Sequence, residues 1–310
     1  MPDSTTPQAV EPQISPLSML GLQEMQVVLN NLLNELVLAA AAQNPTLPQQ
    51  QVNEIPGRLR FAFTYFAPAL KNIYSWLYKS REDSNFTYDL TDQNKDYVAS
   101  FVSAITNCSL SQVRSYIAEL DGDLALREHV RSAVIRFGDG AMDPDARYGR
   151  RIGWYAFVRA SKPKVIIETG VDKGLGSCVL TSALLKNQSE GHPGYYYGTD
   201  INPNAGYLFQ GVYRTVGTIL YGDSIASLQQ FNQPIDLFIN DSDHSADYEK
   251  REYEIVQSKL SNKALILADN SHVTNCLCKF AEQTGRKFLF FQEKPKEHWY
   301  PGAGIGVAFT

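Results

Sequence analysis

The spacing of apolar positions divides the chain in two. From residue 15 to about residue 137 apolar residues recur at three and four positions, the repeat of helices that bury one face. "MLGLQEMQVVLNNLLNELVLAAAA" and "RLRFAFTYFAPALKNIYSWLYK" both carry this repeat, the second interrupted at Pro68, where a helix lacks a backbone N–H. Two further helices are expected after Thr91 and Ser109, residue types whose side-chain oxygens cap helix N-termini. Residues 1–14, rich in Pro, Gln, Ser and Thr, read as a disordered tail, and "RFGDGAMDPDARYG" (136–149) reads as a boundary loop. Beyond it short, almost wholly apolar runs alternate with helical segments: 164–168, 194–200, 217–223, 235–241 and 264–270. Such strands imply a parallel sheet covered on both faces. "KFLFFQE" and "GIGVAFT" follow with no helix between them, which predicts an antiparallel hairpin at one edge.

Composition narrows the function. The chain has 310 residues, 44% of them hydrophobic, enough for a substantial core. A net charge of −5 and the lack of any basic block argue against nucleic acid and anionic lipid as partners. Cys108, Cys178, Cys276 and Cys278 show neither a disulfide framework nor paired metal spacing, and they read as free thiols in a reducing cytosol. No apolar run approaches a membrane span and the N-terminus has no signal-peptide pattern, so a cytoplasmic location is expected.

In an open sheet of this kind ligands bind at the carboxyl ends of the strands. Glu168, Asp200, Asp223, Asp241 and Asp269 each end or closely follow a predicted strand. One such acid would read as a helix cap; five at five strand ends predict a site. Gly170, Gly174 and Gly176 are spaced G-x-x-x-G-x-G, which is not the dinucleotide fingerprint, and no phosphate-binding P-loop sequence is present. An acid ahead of the first glycine repels phosphate and attracts a cation. S-adenosylmethionine fits: it carries a sulfonium and an ammonium and no phosphate. Asp200 stands where its ribose diol needs a carboxylate, and Asp223 with Ser224 stands near the adenine.

Four segments in this order, "IETGVDKGLGS", "GTDINP", "DLFINDSDHSADY" and "LILADN", resemble the class I S-adenosylmethionine-dependent methyltransferases. Within that superfamily they are similar to the metal-dependent small-molecule O-methyltransferases of the catechol and macrolide or sugar types. The resemblance implies an α/β fold: a Rossmann-like, seven-stranded, mostly parallel sheet with an antiparallel C-terminal hairpin over residues 141–310. An all-helical region, 15–140, would precede it as lid, dimerisation or docking surface. It assigns Glu168, Gly170, Gly174, Ser177, Asp200, Asp223, Ser224 and Asp241 to the cofactor, and a Mg²⁺ ion to Asp241, Asp269 and Asn270. His244 stands where the catechol type places a basic lysine, so it is the expected general base.

Alternatives stay open at this stage. Asp243 or Asp247 could replace Asp241 as ligand. His272 beside the Asp-Asn pair could complete an Fe²⁺ or Zn²⁺ set, or act in a metal-free catalytic pair. Arg150, Arg151 and Trp154 are candidates for contact with the cofactor's methionine end or the acceptor, and "EHWYPGAGIG" (297–306) for a wall of the acceptor pocket. The expected reaction is methylation of a hydroxyl on a small specialised metabolite. A carrier-protein-bound hydroxyacyl acceptor is the near alternative, and a non-catalytic adenosyl-binding scaffold the distant one.

Overall fold

The computed structural model describes residues 48–80, 82, 84–138 and 147–310, with scattered positions between 27 and 46. The expected tail, 1–14, and most of the first helical stretch lie outside the described residues. The chain divides into two compact units, 1–75 and 76–310. In the first, helix α1 (Gln49–Lys79) runs on past the division and contains both Pro56 and Pro68. The break expected at Pro68 is therefore not seen. A proline in a helix interior costs about 3 kcal/mol, yet the helix continues through both.

The second unit opens with α2 (Asp92–Thr106), α3 (Leu110–Asp121) and α4 (Leu124–Phe137). The Thr91 and Ser109 side chains accept from the backbone N–H groups of Asn94 and Gln112, as the capping reading expected. Alternating elements follow: α5 (Arg151–Ser161), β1 (Val165–Thr169), α6 (Leu175–Ser189), β2 (Tyr195–Asp200), β3 (Gly217–Tyr221), α7 (Ser224–Gln230) and β4 (Ile235–Asn240). Then come α8 (Ala246–Val256), β5 (Leu260–Ala268), a short 3₁₀ turn (Asp269–His272), α9 (Cys276–Gln283), β6 (Lys287–Gln292) and β7 (Gly304–Phe309).

The seven strands form one sheet in the order β3-β2-β1-β4-β5-β7-β6. β7 runs antiparallel to both β5 and β6, and the other pairings are parallel. The expected fold class is what the structure shows. Strand side chains alternate between two cores. Ile166, Leu237, Ile239, Leu265 and Leu267 join one, and Val165, Ile167, Phe238 and Ile266 join the other.

The first core also takes in Val98, Val102, Val113, Leu120, Leu126 and Val130 of α2–α4, together with Trp154 and Phe157 of α5. A division at 140/141 is therefore corrected: residues 92–137 are part of the sheet's own unit, because their apolar faces are buried in its core. The Arg159 guanidinium, 2% exposed, ties this layer together by donating to Glu119 of α3 and to Asn187 and Glu190 at the end of α6. No helix among the described residues is long and apolar enough to cross a membrane.

Candidate active site

Register places the acids side by side. Thr169 pairs with Asn240, and Asn240 with Ala268, so the next residues of β4 and β5, Asp241 and Asp269, emerge together. A cavity of about 770 Å³ opens over these strand ends. Its lining includes Glu168, Gly170, Asp200, Asp223, Ser224 and Asp241 among the expected cofactor residues, and also Asp269, His244 and His272. Gly174 and Ser177, also expected to serve the cofactor, stand behind the lining. Gly174 begins α6 against Gly206 and Phe209, and the Ser177 hydroxyl is buried between Tyr196 and Glu168. Gly176 lines the cavity instead.

Two of the glycines on the cavity wall, Gly170 and Gly176, are there for space. Gly170 has a φ of +85°, and a Cβ on it would strike the carbonyl of Asp241. A Cβ on Gly176 would strike the Glu168 carboxylate and the Trp154 ring. Glu168, 1% exposed, accepts from the Tyr196 and Ser177 hydroxyls. Burial raises its carboxyl from 4.5 to about 7, against the opposing hydroxyl bonds and the Arg151 charge.

Asp200 does more than end a strand. Its Oδ2 accepts from the N–H groups of Val171 at 3.1 Å and Asp172 at 2.8 Å, fixing the loop after β1, while Oδ1 accepts from Asn202 at 2.8 Å. Asp223 caps α7 through the Ala226 N–H and accepts from the Tyr248 hydroxyl, so the bland capping role holds for it too. Ser224 donates to Glu252. Glu252, fully buried, was not legible as a site residue. It accepts from Thr169, Asn240, Ser224 and Ser242, and so fastens the ends of β1 and β4 to α7 from below.

Strands four and five carry the main departure. Both oxygens of Asp269, 3% exposed, accept from Arg150, through Nε and, at 2.7 Å, through Nη2. Arg150 Nη1 also donates to the Tyr88 hydroxyl at 3.1 Å; Tyr88 donates in turn to Glu293 at 2.8 Å. Asp241 is half-buried at the cavity floor. Loss of hydration pushes its carboxyl well above the usual carboxylate range; the Asp269 charge adds to this, and Arg150 and Arg151 oppose it. Asp243 and Asp247 are exposed, and Asp243 accepts from the Ser245 N–H. Asn270 lies on the 3₁₀ turn, and its side chain is outside the described residues. Among the described residues no three His, Cys, Asp or Glu side chains group as a metal site. The expected Mg²⁺ set does not fit, because both Asp269 oxygens are bonded to the Arg150 guanidinium, a fixed positive charge beside any ion held there.

Both histidines face the cavity from exposed positions. His272 Nδ1 lies 3.0 Å from the Asp269 carbonyl oxygen. A carbonyl only accepts, so Nδ1 carries the hydrogen and the neutral ring keeps its lone pair on Nε2. His244 sits on the loop between β4 and α8.

Arg151, 6% exposed, lies 5.0 Å from the Phe86 ring centroid and 5.6 Å from that of Trp154, and its Nε has no hydrogen-bond partner. Thr199 Oγ1, also on the cavity wall, is buried without a partner. Trp154 itself is core. Tyr300, from the loop between β6 and β7, lines the cavity with Asn85 and Phe86, two residues the sequence gave no reason to single out. That wall is latched: His298 Nδ1 accepts from the Tyr300 N–H, so Nε2 donates to the buried Glu82 carboxylate. Glu82 also holds the Phe86 and Thr87 N–H groups.

Comparison with known proteins agrees with this geometry. Residues 167–271 match a family model described as a methyltransferase domain, which bears out the methyltransferase resemblance and the reading of the chain as an enzyme. A search of curated proteins found no match. The chain is similar to the S-adenosylhomocysteine-bound methyltransferase PaMTH1 of Podospora anserina, at 15% identity, with 73% of this chain and 98% of that one covered and a TM-score of 0.45. The O-methyltransferase TomG of Streptomyces achromogenes, involved in tomaymycin synthesis and solved with S-adenosylmethionine, is 14% identical, with coverage of 61% and 90% and a TM-score of 0.42. At these scores neither likeness carries weight for the reaction.

Proposed function

We propose that the chain transfers the methyl group of S-adenosylmethionine to a hydroxyl of a small molecule. The observation that carries this is the cavity over the strand ends, whose wall is built for a cationic, phosphate-free ligand. Glu168 and Asp200 supply acid, Gly170 and Gly176 leave room, and two buried polar atoms, Arg151 Nε and Thr199 Oγ1, await partners. S-adenosylmethionine fits that set and, when bound, supplies a methyl group on a sulfonium.

The residues divide the remaining work. Asp200 holds the β1 loop and offers a carboxylate to the ribose hydroxyls, and Arg151 takes the carboxylate end of the methionine moiety. Phe86 and Tyr300 exclude water over the reacting end. His272 takes the proton of the acceptor hydroxyl at Nε2 as the oxygen–methyl bond forms, with the Asp269 carbonyl holding the ring in the required tautomer. His244 reaches the same cavity with no such bond to orient it, which favours His272 over the base expected from sequence. The acceptor is a small specialised metabolite, free or carried on an acyl-carrier protein, and the protein works in the cytoplasm.

Calorimetry of the full chain with S-adenosylhomocysteine tests the reading. Binding that weakens by about tenfold or more in Asp200→Ala is expected. Binding of a nicotinamide dinucleotide without S-adenosylhomocysteine would overturn it. With radiolabelled methyl donor and a panel of hydroxylated acceptors, His272→Ala should lose about a hundredfold or more in turnover and His244→Ala far less.

A further inference from the structure

We propose that the Arg150 guanidinium stands in the place of a divalent cation at the ends of β4 and β5, so that the acceptor site is organised without a metal. This rests on the methyltransferase reading of the same cavity.

The positions that would hold an ion, Asp241 and Asp269, are adjacent across the β4–β5 register. Arg150 reaches the same cavity from the turn before α5. Its planar fork meets both Asp269 oxygens, a geometry an ammonium cannot reproduce and one that already neutralises the carboxylate with a fixed positive charge. Mg²⁺ demands near-octahedral oxygen ligands and would have to displace two charge-assisted bonds while sitting beside a fixed positive charge.

The guanidinium cannot swing away cheaply. It is 8% exposed, bonded to Tyr88, and 3.8 Å from Glu293, whose other contacts are the Tyr88 hydroxyl and the Ala303 N–H at 2.7 Å. Freeing Asp269 would leave a buried cation and a buried anion both short of partners. Arg150 is thus a positioning residue: it holds Asp269, whose carbonyl holds His272. A fixed guanidinium has no open coordination position, so the acceptor needs no second oxygen beside the one methylated.

The test is Mn²⁺ binding to the full chain, followed by electron paramagnetic resonance. Wild-type protein should show no stoichiometric site through the millimolar range. Arg150→Met, which keeps the apolar stem and frees Asp269 beside Asp241, should gain one site; Arg150→Lys, which keeps a charge, should not. A saturable site in the wild-type chain that disappears in Asp269→Asn overturns the proposal, as does a folded Arg150→Met protein that binds no more Mn²⁺ than wild type. Circular dichroism and urea unfolding establish that each variant is folded. If Arg150→Met does not fold, the wild-type and Asp269→Asn titrations still decide. S-adenosylhomocysteine calorimetry on the same wild-type sample separates the two readings, since failure to bind it sinks the methyltransferase assignment and leaves the Mn²⁺ result legible.

Discussion

Glu168→Gln should reveal how much the fold yields to keep an acid in the cavity wall. The carboxyl is buried, and its folded value of about 7 lies above the ordinary 4.5. Between those two values the folded protein holds a proton that the unfolded chain has released. Stability from this group is therefore fully present below about 4.5 and falls as pH rises through that window, levelling off above 7. At 1.36 kcal/mol per pH unit the gap corresponds to about 3 kcal/mol. Glutamine is neutral throughout and keeps an oxygen for the Tyr196 and Ser177 hydroxyls to donate to, so it removes the penalty. Urea unfolding of both proteins should be run from pH 5 to pH 8. The difference between them should shift toward the variant by about 2–3 kcal/mol across that range. Comparing the pair cancels titrating groups that do not feel the Glu168 charge, Glu252 included. Parallel curves with a constant offset would refute the reasoning, because they would mean that the carboxyl titrates alike in both states.

Three other outcomes are expected. Glu252→Leu strands the Thr169, Asn240, Ser224 and Ser242 donors and should cost about 3 kcal/mol or more, read from the urea midpoint; a loss below about 1 kcal/mol would deny the carboxylate its fastening role. Gly176→Ala drives a methyl group toward Glu168 and Trp154 and should cost about 1–3 kcal/mol together with weaker S-adenosylhomocysteine binding, measured by calorimetry. Residues 76–310 should fold alone with an unchanged unfolding midpoint, whereas 138–310 should aggregate, since removing α2–α4 strips the cover from Trp154 and Phe157; a soluble, cooperative 138–310 fragment would contradict the shared core.

The sequence by itself determined the sheet, its hairpin and the row of acids. Those features rest on local rules: strand side chains alternate between two buried faces, Thr91 and Ser109 cap the helices they precede, and strand ends carry the ligand residues of an open α/β sheet. Pro68 misled because a local helix breaker is weighed against a long helix only in the whole structure. The helical half was misdivided because an amphipathic face states that it is buried and not against what; α2–α4 bury theirs in the sheet's own core. The cavity needed tertiary structure most. Arg150 and Asp269 lie 119 residues apart, and no spacing rule joins them. Asp269 was readable as a carboxylate at a strand end, but whether it faced an ion or a guanidinium depended on which chain crossed above it. Glu252 hid in an ordinary charged helix for the same reason, since a charge becomes a fastening point only when four distant donors converge on it.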